Sequence, residues 1–467
     1  MQPAPPLPCV SPSSDAGVVG LTLAAGLIEH GVDAVLYEQA RALQEIGTGI
    51  GLVPTAVAAM EALSPRMAEG VKRVSFQSPF FLGLIDGASD EDLSLRTDKG
   101  RLYDVVVPDE QGRSLYTTAR ATLIAELLRH VPAERVELGK KVVDVVSGSD
   151  DEPVTLVFAD GTTAEADAVV GCDGIKSRVR RVMLGDAHPA STCQYAHEVC
   201  YRALVNTAAL RPILGPLLAE STAMYLAPGA YLIVYPVGNR ANISVYVDDD
   251  DDDDDDASST APRPAPDQNH GRVAARAELA AKLEARLGCS MRAVVSLLPE
   301  QVSAWALHDL FEHPLATYAA GRVCVAGDAA HAATSHHGAG AGIGVEDAAV
   351  LCKLLARVRE TLATSAGRGG VGPRARSKAA MVMEAVALYD GARRERSQWM
   401  VWSSRRQGRL MKCRVPGIDA DMGKIEEDLR GRSRTLLTWD AEATLERTLR
   451  ELDEQVAAME GAYHSRG

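Results

Sequence analysis

Residues 321–351 read GRVCVAGDAAHAATSHHGAGAGIGVEDAAVL, and this stretch decides the fold class. A predicted apolar strand, Arg322–Ala326, ends at Gly327 and Asp328, after which a glycine-studded loop leads into a predicted helix from about Gly344. Backbone N–H groups of such a loop and of a helix N-terminus can bind phosphate and carbonyl oxygens, and a carboxylate there can bind a sugar hydroxyl. The pattern therefore predicts an α/β fold with a nucleotide-type cofactor at this turn.

The segment Asp15–Glu38, DAGVVGLTLAAGLIEHGVDAVLYE, comes close to a dinucleotide-binding fingerprint. Gly17 and Gly20 fill the places where backbone meets pyrophosphate and where helix packs on strand, and Glu38 can accept ribose hydroxyls. A buried alanine-rich helix is the alternative interpretation. Asp15 occupies the first glycine place, where its carboxylate would face the pyrophosphate with like charge. The preceding PLPCVSPSS is not expected to form a central parallel strand.

The order of patterns along the chain indicates one domain interrupted by another. Strand, crossover and helix at both ends of a strand-rich middle predict a discontinuous Rossmann-like domain with an inserted β-sheet substrate domain. We expect the first domain in residues 1–185 and 311–395, the substrate domain in residues 186–310, and a helical C-terminal region in residues 396–467. Residues 248–271, rich in Asp, Ser, Pro and Ala, are expected to form a disordered surface loop.

The net charge of −14 is concentrated in one place. Nine aspartates, Asp248–Asp256, account for most of it, and −14 + 9 leaves −5 for the rest of the chain. This balance predicts neither a nucleic-acid partner nor binding to an anionic membrane. Eight scattered cysteines without a CxxC pair are typical of a reducing compartment. Since there is no run of 18 apolar residues and no signal-peptide pattern, we expect a cytoplasmic protein without membrane insertion. The sequence does not indicate the oligomeric state.

The 321–351 stretch resembles the class A flavoprotein monooxygenases, which include salicylate-hydroxylase-like and para-hydroxybenzoate-hydroxylase-like enzymes. Their pattern here is GDAAH, then a proline, then GxGxxxxxED; this chain has Ser335 for the proline and His337 for a frequent glutamine. The resemblance implies that FAD is the cofactor and that Gly327, Asp328, Gly340 and Ala341 contact it.

Three further motifs follow the family order, so the resemblance covers nearly the whole chain from about Asp15. It implies that Gly49, in GTGIGL, lies beside the flavin and that Arg120, in ARATLIAEL, contacts its ribityl or phosphate part. It also implies that Asp173, in GCDGIKSRVR, serves both FAD and the nicotinamide. For Arg178 and Arg180 in that motif, a surface charge is an equally good interpretation.

Three histidines and the helical C-terminal region have alternative interpretations. His331, His336 and His337 could suggest a metal site, but we interpret His331 as part of the flavin motif and expect no metal. In the family-like stretch 389–410, Trp399 and Trp402 share one helical face and are expected in the core. They do not match the tryptophan-rich motif of flavin halogenases.

The middle domain indicates the substrate class. Arg202, in YRALV, and Tyr235, in YPVG, are similar to the arginine–tyrosine pair of fungal aromatic hydroxylases. A guanidinium can stabilise a phenolate and lower the substrate's pKa, while a tyrosine hydroxyl can orient the same oxygen. Alternatively, Arg202 pairs with a carboxylate and Tyr235 packs in the sheet.

Together these expectations describe an FAD-dependent aromatic monooxygenase that uses NADH or NADPH and O2. The resemblance implies that O2 adds at the flavin C4a carbon and that the hydroperoxide transfers oxygen to the ring of a bound phenolate. A flavin oxidase or epoxidase on the same fold is one alternative. A relic that no longer binds flavin, suggested by Asp15, is the other.

Overall fold

The structure is a computed structural model, and it describes residues 7–10, 17–42, 49–77, 82–90, 103–104, 115–148, 152–249, 271–367 and 375–464. Asp15, Gly47 and residues 250–270 of the expected loop lie outside these ranges.

The described residues include twenty strands and thirteen α-helices. The strands are β1 (Leu7–Val10), β2 (Ala34–Glu38), β3 (Gly49–Leu52), β4 (Phe76–Gln77), β5 (Gly83–Asp86), β6 (Tyr103–Asp104), β7 (Tyr116–Ala119), β8 (Val136–Leu138), β9 (Val142–Ser147), β10 (Val154–Phe158), β11 (Thr163–Ala166), β12 (Val169–Gly171), β13 (Gln194–Asn206), β14 (Ala223–Ala227), β15 (Ala230–Val237), β16 (Arg240–Asp248), β17 (Gly271–Ala275), β18 (Gln301–Asp309), β19 (Ala319–Ala320) and β20 (Val323–Val325). The helices are α1 (Val18–Glu29), α2 (Pro54–Leu63), α3 (Pro65–Arg73), α4 (Arg120–Leu128), α5 (Arg178–Leu184), α6 (Thr207–Ala219), α7 (Arg276–Leu283), α8 (Cys289–Ser296), α9 (Asp328–His331), α10 (Gly340–Gly367), α11 (Ala375–Met411), α12 (Met422–Leu437) and α13 (Ala441–His464).

A six-stranded sheet in the order β19-β20-β12-β1-β2-β8 forms the centre of the first domain. Its five strands from β20 to β8 are parallel, and only the short β19 is antiparallel to its neighbour. Strand β20 comes from beyond the middle domain, which agrees with a discontinuous Rossmann-like fold. Helix α1 packs against α10, so the two predicted cofactor segments lie side by side.

The expectation that no strand precedes the first turn was wrong. Strand β1 lies at the centre of the sheet, where Cys9 is in register with Val170 on one side and Leu36 on the other. A central strand can include Pro8 because successive N–H groups point to opposite neighbours, so the proline removes one donor from one ladder only. A four-residue strand bounded by prolines was too short to show a strand pattern in the sequence.

An eight-stranded sheet in the order β17-β18-β13-β16-β15-β14-β5-β6 forms the middle domain. Strands β5 and β6 come from within residues 1–185, so part of the predicted first segment contributes to this sheet. Alternate residues such as Val234 and Ile243 pack with α6, α7 and α8 in an apolar core. The residues between them point to the opposite face, which is the face that lines the cavity described below.

Two smaller sheets and the C-terminal helices complete the fold. The sheets have the orders β11-β10-β9 and β3-β7-β4. Helix α11 packs against α10, α12 and α13. Within the described ranges, none of the helices combines the length and the apolarity that crossing a bilayer would need.

The aspartate run begins inside the fold, so the predicted boundary of the disordered loop at residue 248 was wrong. Asp248 is the last residue of β16 and pairs with Lys412, and Asp249 accepts a 2.5 Å hydrogen bond from the Tyr195 hydroxyl. Lys282 lies 3.6 Å from Asp249 as well. A run of identical aspartates does not show which of them form ion pairs, because the partner cations, such as Lys412, lie far along the chain.

Candidate active site

A cavity of about 600 Å³ lies between the two large sheets. Its walls come from the start of α1, from β3, from the loops that follow β12 and β20, from one face of the eight-stranded sheet, and from α11 and α12. Because these segments are distant in sequence, only the fold brings them together. The cavity therefore joins the predicted cofactor motifs to the predicted substrate domain.

The loop after β20 forms one wall and has a constrained backbone. Gly327 has a φ of 63°, and a Cβ atom there would lie 2.9 Å from a Val19 side-chain carbon, so both conformation and space favour glycine. Its N–H donates to Asp347, which also lies 2.5 Å from the His331 ring nitrogen. Arg180 holds the same loop through a 2.9 Å bond to the Ala329 carbonyl. Arg180 is completely buried, so the surface-charge interpretation was wrong for it.

Asp328 and Arg120 both line the cavity. Asp328 has accessible surface and is one of the residues that line the cavity. Burial raises the pKa of its carboxyl, while His331, Arg120 and Arg180 oppose the rise. A carboxylate in this position can accept a hydrogen bond from a sugar hydroxyl.

Two helix N-termini face the same cavity. Gly17 is the N-cap of α1, and Gly340 and Ala341 are the first residues of α10; all three line the wall. Helix N-termini present N–H groups and a partial positive charge to anionic or carbonyl oxygens. The two helix N-termini and the Arg120 cation suit the anionic and carbonyl oxygens of a flavin dinucleotide, and Asp328 suits its sugar hydroxyls. Together these groups fit FAD.

Four of the predicted cofactor residues do not line the cavity: Gly327, whose N–H donates to Asp347, and Gly20, Glu38 and Asp173. Gly20 is buried within α1. Glu38 is completely buried and accepts a 2.8 Å hydrogen bond from the Ala40 N–H. The Asp173 carboxylate accepts from the Val179 N–H at 2.9 Å and so caps α5. The assignment of these four residues to cofactor binding stays a prediction, as does that of the six predicted residues that line the cavity.

Arg202 and Tyr235 lie on the cavity face of the eight-stranded sheet. Arg202 on β13 is in register with Ser244 on β16, and Tyr235 lies on β15, the next strand. The Arg202 Nη2 donates to the Ser335 hydroxyl at 3.1 Å, and its Nε lies 3.2 Å from the Cys200 sulfur. Within the described residues, Arg202 has no carboxylate partner, so the ion-pair interpretation is not supported.

Tyr235 joins the substrate sheet to the cofactor side of the cavity. A Cβ atom on Gly49 would lie 2.7 Å from the Tyr235 hydroxyl oxygen, so glycine in β3 permits this close approach. Burial raises the pKa of Tyr235 to about 12, although Arg202 acts in the opposite direction. The hydroxyl therefore stays protonated near neutral pH and can donate a hydrogen bond. Gly49 and Tyr235 both line the cavity.

The sequence analysis missed a buried group behind the same wall. Tyr231 Oη lies 2.7 Å from His336 Nδ1, and His336 Nε2 lies 2.9 Å from the Glu198 carboxylate. Glu198 lies 2.6 Å from Lys412 Nζ, and Lys412 also contacts Asp248. These five residues come from five separate segments of the chain, so no local motif could have identified the group. One sequence signal was available: Lys412 is a charged residue that directly follows the apolar residues Leu410 and Met411 at the end of α11.

The three predicted histidines each have a protein partner, and none shares a ligand-like cluster with another. His331 contacts Asp347, His336 contacts Tyr231 and Glu198, and His337 lies 2.8 Å from the Ser403 hydroxyl. Among the described residues, no group of three His, Cys, Asp or Glu side chains is arranged to hold a metal ion.

The C-terminal region supports the cofactor loop through buried charges. Arg393 on α11 is completely buried and lies 2.7 Å from Glu346 and 2.8 Å from Asp347, both on α10. The expectation of two core tryptophans was wrong for one of them. Trp402 is 49% exposed, with the Arg432 guanidinium 5.0 Å from its ring. Helical spacing places the two tryptophans on one face of α11, but it does not show which parts of that face other elements cover.

Comparisons with known proteins agree with this geometry. A family model described as FAD binding domain matches residues 16–368. The FAD-dependent monooxygenase orf3 of Aspergillus niger is 36% identical over 449 residues, which cover 95% of this chain and 97% of that protein. The salicylate hydroxylase asL1 of Sarocladium schorii is 35% identical over 456 residues, covering 94% and 89% of the two chains.

A solved structure has the same architecture. A salicylate hydroxylase in complex with its substrate superposes with a TM-score of 0.74 at 29% identity, covering 95% of this chain and 98% of that one. The family match and the relatives agree on the cofactor and on the type of reaction, and the residues that line the cavity fit that cofactor. The chain belongs to the FAD binding domain family and is an FAD-dependent monooxygenase of the salicylate hydroxylase type.

Proposed function

We propose that this enzyme hydroxylates a phenolic aromatic substrate and that Arg202 and Tyr235 hold the phenol oxygen. The observation that carries the proposal is that both side chains line the cavity that also contains Gly49, Asp328 and the α10 N-terminus. The names of the relatives, several of them aromatic hydroxylases or fungal monooxygenases, support the same substrate class.

The chemistry of the pair fits a phenolate. An electron-rich ring reacts best with an electrophilic oxygen, and a phenol becomes electron-rich when it loses its proton. A permanently charged guanidinium favours the phenolate and lowers its pKa. The Tyr235 hydroxyl remains a donor because its own pKa is raised to about 12, first by burial. Together the two side chains can hold one oxygen and present one ring carbon toward the cofactor side.

The remaining walls favour a ring. Apolar side chains on the same sheet face line the cavity, among them Met224, Ile233 and Leu307. Such walls exclude water and bind a flat apolar body, while a few polar groups fix its orientation. Bound FAD would supply the activated oxygen by the route given above for the family, with NADH or NADPH as the reductant.

The test begins with the visible spectrum of the purified protein, before and after addition of FAD. A flavin absorbance that corresponds to about one FAD per chain would show that the N-terminal turn still permits FAD binding. A screen of phenols with NADH, NADPH and O2 then follows. Product analysis separates the alternatives. Oxygen in the ring supports the proposal, whereas peroxide without an oxygenated product, or an epoxide, would contradict it.

Two variants test the assigned pair. Arg202→Ala and Tyr235→Phe should retain bound FAD, and Arg202→Ala should lose hydroxylation by about 100-fold or more, the usual effect of removing one donor that stabilises developing charge. Arg211→Ala and Tyr195→Phe are matched controls outside the cavity lining and should retain activity. Full product formation by both cavity variants would refute the assignment.

A further inference from the structure

Two polar side chains interrupt an otherwise apolar wall of the cavity, and the proposed function gives neither of them a role. Helices α11 and α12 form this helical wall, which consists of Gln407, Met411, Leu429, Ser433, Leu436 and Leu437. Met411 and Leu429 pack in one apolar cluster with Met224 and Leu307 of the eight-stranded sheet. The helical wall therefore meets the part of the cavity that is proposed to hold the substrate ring.

The Gln407 side chain has a fixed orientation. Its Nε2 donates a 2.9 Å hydrogen bond to the His336 carbonyl. A carbonyl oxygen can only accept, so the amide cannot be turned over without losing this bond. The side chain is 6% exposed, and within the described residues its Oε1 has no hydrogen-bond partner. Gln407 is therefore a buried acceptor that lacks a donor, a state that costs free energy until a donor binds.

Ser433 is the second polar side chain of the helical wall. It lies inside α12, one turn after Leu429, on the face that lines the cavity. A serine inside a helix often bonds the carbonyl four residues earlier, which here belongs to Leu429. In the part of the chain that the structure describes, the Ser433 hydroxyl makes neither this bond nor another one. The hydroxyl is therefore available to a ligand.

The sheet and the helical wall offer different chemistry to a ring between them. Gln407 bonds the His336 carbonyl, and the Arg202 Nη2 bonds the hydroxyl of the preceding residue, Ser335, at 3.1 Å. The two side chains thus flank one short segment. Among the described residues that line the cavity, Arg120 and Arg202 are the only arginines and there is no lysine. The helical wall therefore disfavours a carboxylate and suits a neutral donor such as a hydroxyl.

We propose that Gln407 is a specificity-determining residue that accepts a hydrogen bond from a second hydroxyl on the substrate ring, with Ser433 as an additional partner. The inference rests on the proposed function, because Arg202 and Tyr235 hold the first oxygen. The first hydroxyl ionises beside Arg202, while the second keeps its proton and donates to Gln407 Oε1. A ring that lacks the second donor leaves Oε1 unpaired and binds less tightly.

The experiment compares three phenols in the FAD-loaded, oxidised enzyme without a reductant, so that binding is measured without turnover. The probes are 3,5-dihydroxytoluene, 3-methylphenol, which lacks the second hydroxyl, and 3-methoxy-5-methylphenol, whose second oxygen cannot donate. Titrations followed by the flavin absorption give a Kd for each probe. The wild type is expected to bind 3,5-dihydroxytoluene about 4- to 26-fold more tightly than either other phenol. This preference is a factor of about 2–13 for one neutral hydrogen bond, doubled because the ring has two equivalent hydroxyls.

Variants of the helical wall test the contacts. Gln407→Met retains the length of the side chain without the acceptor, so the preference should fall to about twofold, which is the effect of the equivalent hydroxyls alone. Ser433→Ala should lower the preference in part, whereas Ser433→Thr keeps the hydroxyl and should keep the preference. The readout is a ratio between ligands in one protein, so a general loss of folding or of FAD does not imitate the expected result.

Two matched controls lie on the same helices but outside the cavity lining. Gln398 on α11 also donates from Nε2 to a backbone carbonyl, that of Leu315, at 2.6 Å. Thr435 is an exposed hydroxyl residue of α12. Gln398→Met and Thr435→Ala should therefore keep the wild-type preference.

The outcomes separate this inference from the proposed function. A wild-type preference of about twofold or less would overturn the second contact while leaving phenol binding by Arg202 and Tyr235 intact. A preference that Gln407→Met retains in full would overturn the role of Gln407. Arg202→Ala should weaken the binding of all three phenols alike. If none of the three binds to the wild type, the phenol-binding assignment itself fails, and the inference fails with it.

Discussion

Gly408 in α11 is the residue whose replacement tests the packing of His336 most directly. An alanine Cβ atom would lie 2.3 Å from His336 Nε2, 2.5 Å from Cδ2 and 2.8 Å from Cε1. Ordinary contacts begin at 3.4 Å, so the ring must move by at least 3.4 − 2.3 = 1.1 Å. A movement of this size disturbs the 2.7 Å bond to Tyr231 and the contact with Glu198.

The expected magnitude follows from two opposing effects of Gly408→Ala. Alanine stabilises a helix interior by about 1 kcal/mol relative to glycine. Overpacking a well-filled site costs about 1–3 kcal/mol. Gly391→Ala, in the same helix, is the matched control because a Cβ atom there meets nothing within 4 Å. We therefore expect the control to be stabilised and Gly408→Ala to be less stable than the control by about 1–3 kcal/mol.

The assay is thermal unfolding of the two FAD-loaded variants beside the wild type. A difference of this size corresponds to a few degrees in Tm for a chain of this length. If both alanines raise Tm equally, the His336 ring does not rest against Gly408.

Three other predictions concern the charges and hydroxyls around the cavity. Arg393→Ala should lower the unfolding free energy by about 3–5 kcal/mol in urea titrations, because it removes the buried cation that Glu346 and Asp347 share and leaves them with Arg396 and His331 respectively; a loss below about 1 kcal/mol would contradict this. Burial raises the pKa of Asp347, but His331 and Arg393 lower it to about 2 overall, below the unfolded value of about 3.9. Its ionised form therefore stabilises the fold by about 2–3 kcal/mol above about pH 4, and this is lost as pH falls toward 2. Asp347→Asn should flatten that part of the pH profile, and an unchanged slope would count against the pairing. Ser335→Ala should weaken the binding of a phenol such as orcinol (3,5-dihydroxytoluene) several-fold, because the hydroxyl that accepts a hydrogen bond from Arg202 contributes about 0.5–1.5 kcal/mol. Ser335→Pro removes the same hydroxyl and should weaken binding by at least as much; unchanged binding by both variants would contradict this role.

Local patterns in the sequence predicted most of the cofactor side. Strand, glycine turn and helix occur as expected around Asp328, and α1 and β2 lie within the predicted fingerprint. Hydrophobic periodicity and turn residues act over a few positions, so they can be read without knowing the fold. Arg202 and Tyr235 were predicted from the family resemblance; they lie on β13 and β15, on either side of β16, and both line the cavity.

Long-range pairing decided what the sequence could not show. Strand β1 has only four residues, and its central place depends on register with β2 and β12. For Arg180 the sequence left a surface charge open as an equally good interpretation. In the fold its guanidinium is buried and donates to the Ala329 carbonyl, 149 positions along the chain. Elements that are distant in sequence determine whether a charged side chain is buried and which partner it has. Neither property can be read from the composition or from a local motif.

The sequence by itself determined the cofactor turn, the order of the domains and the residue types suited to a phenol. Only the tertiary structure decided which aspartates are ion-paired, that Ser335 bonds Arg202, and that His336 lies between Tyr231 and Glu198. The physical reason is distance along the chain. The His336–Glu198 contact joins residues 138 positions apart (336 − 198), and such a contact exists only after the sheets and α11 have packed.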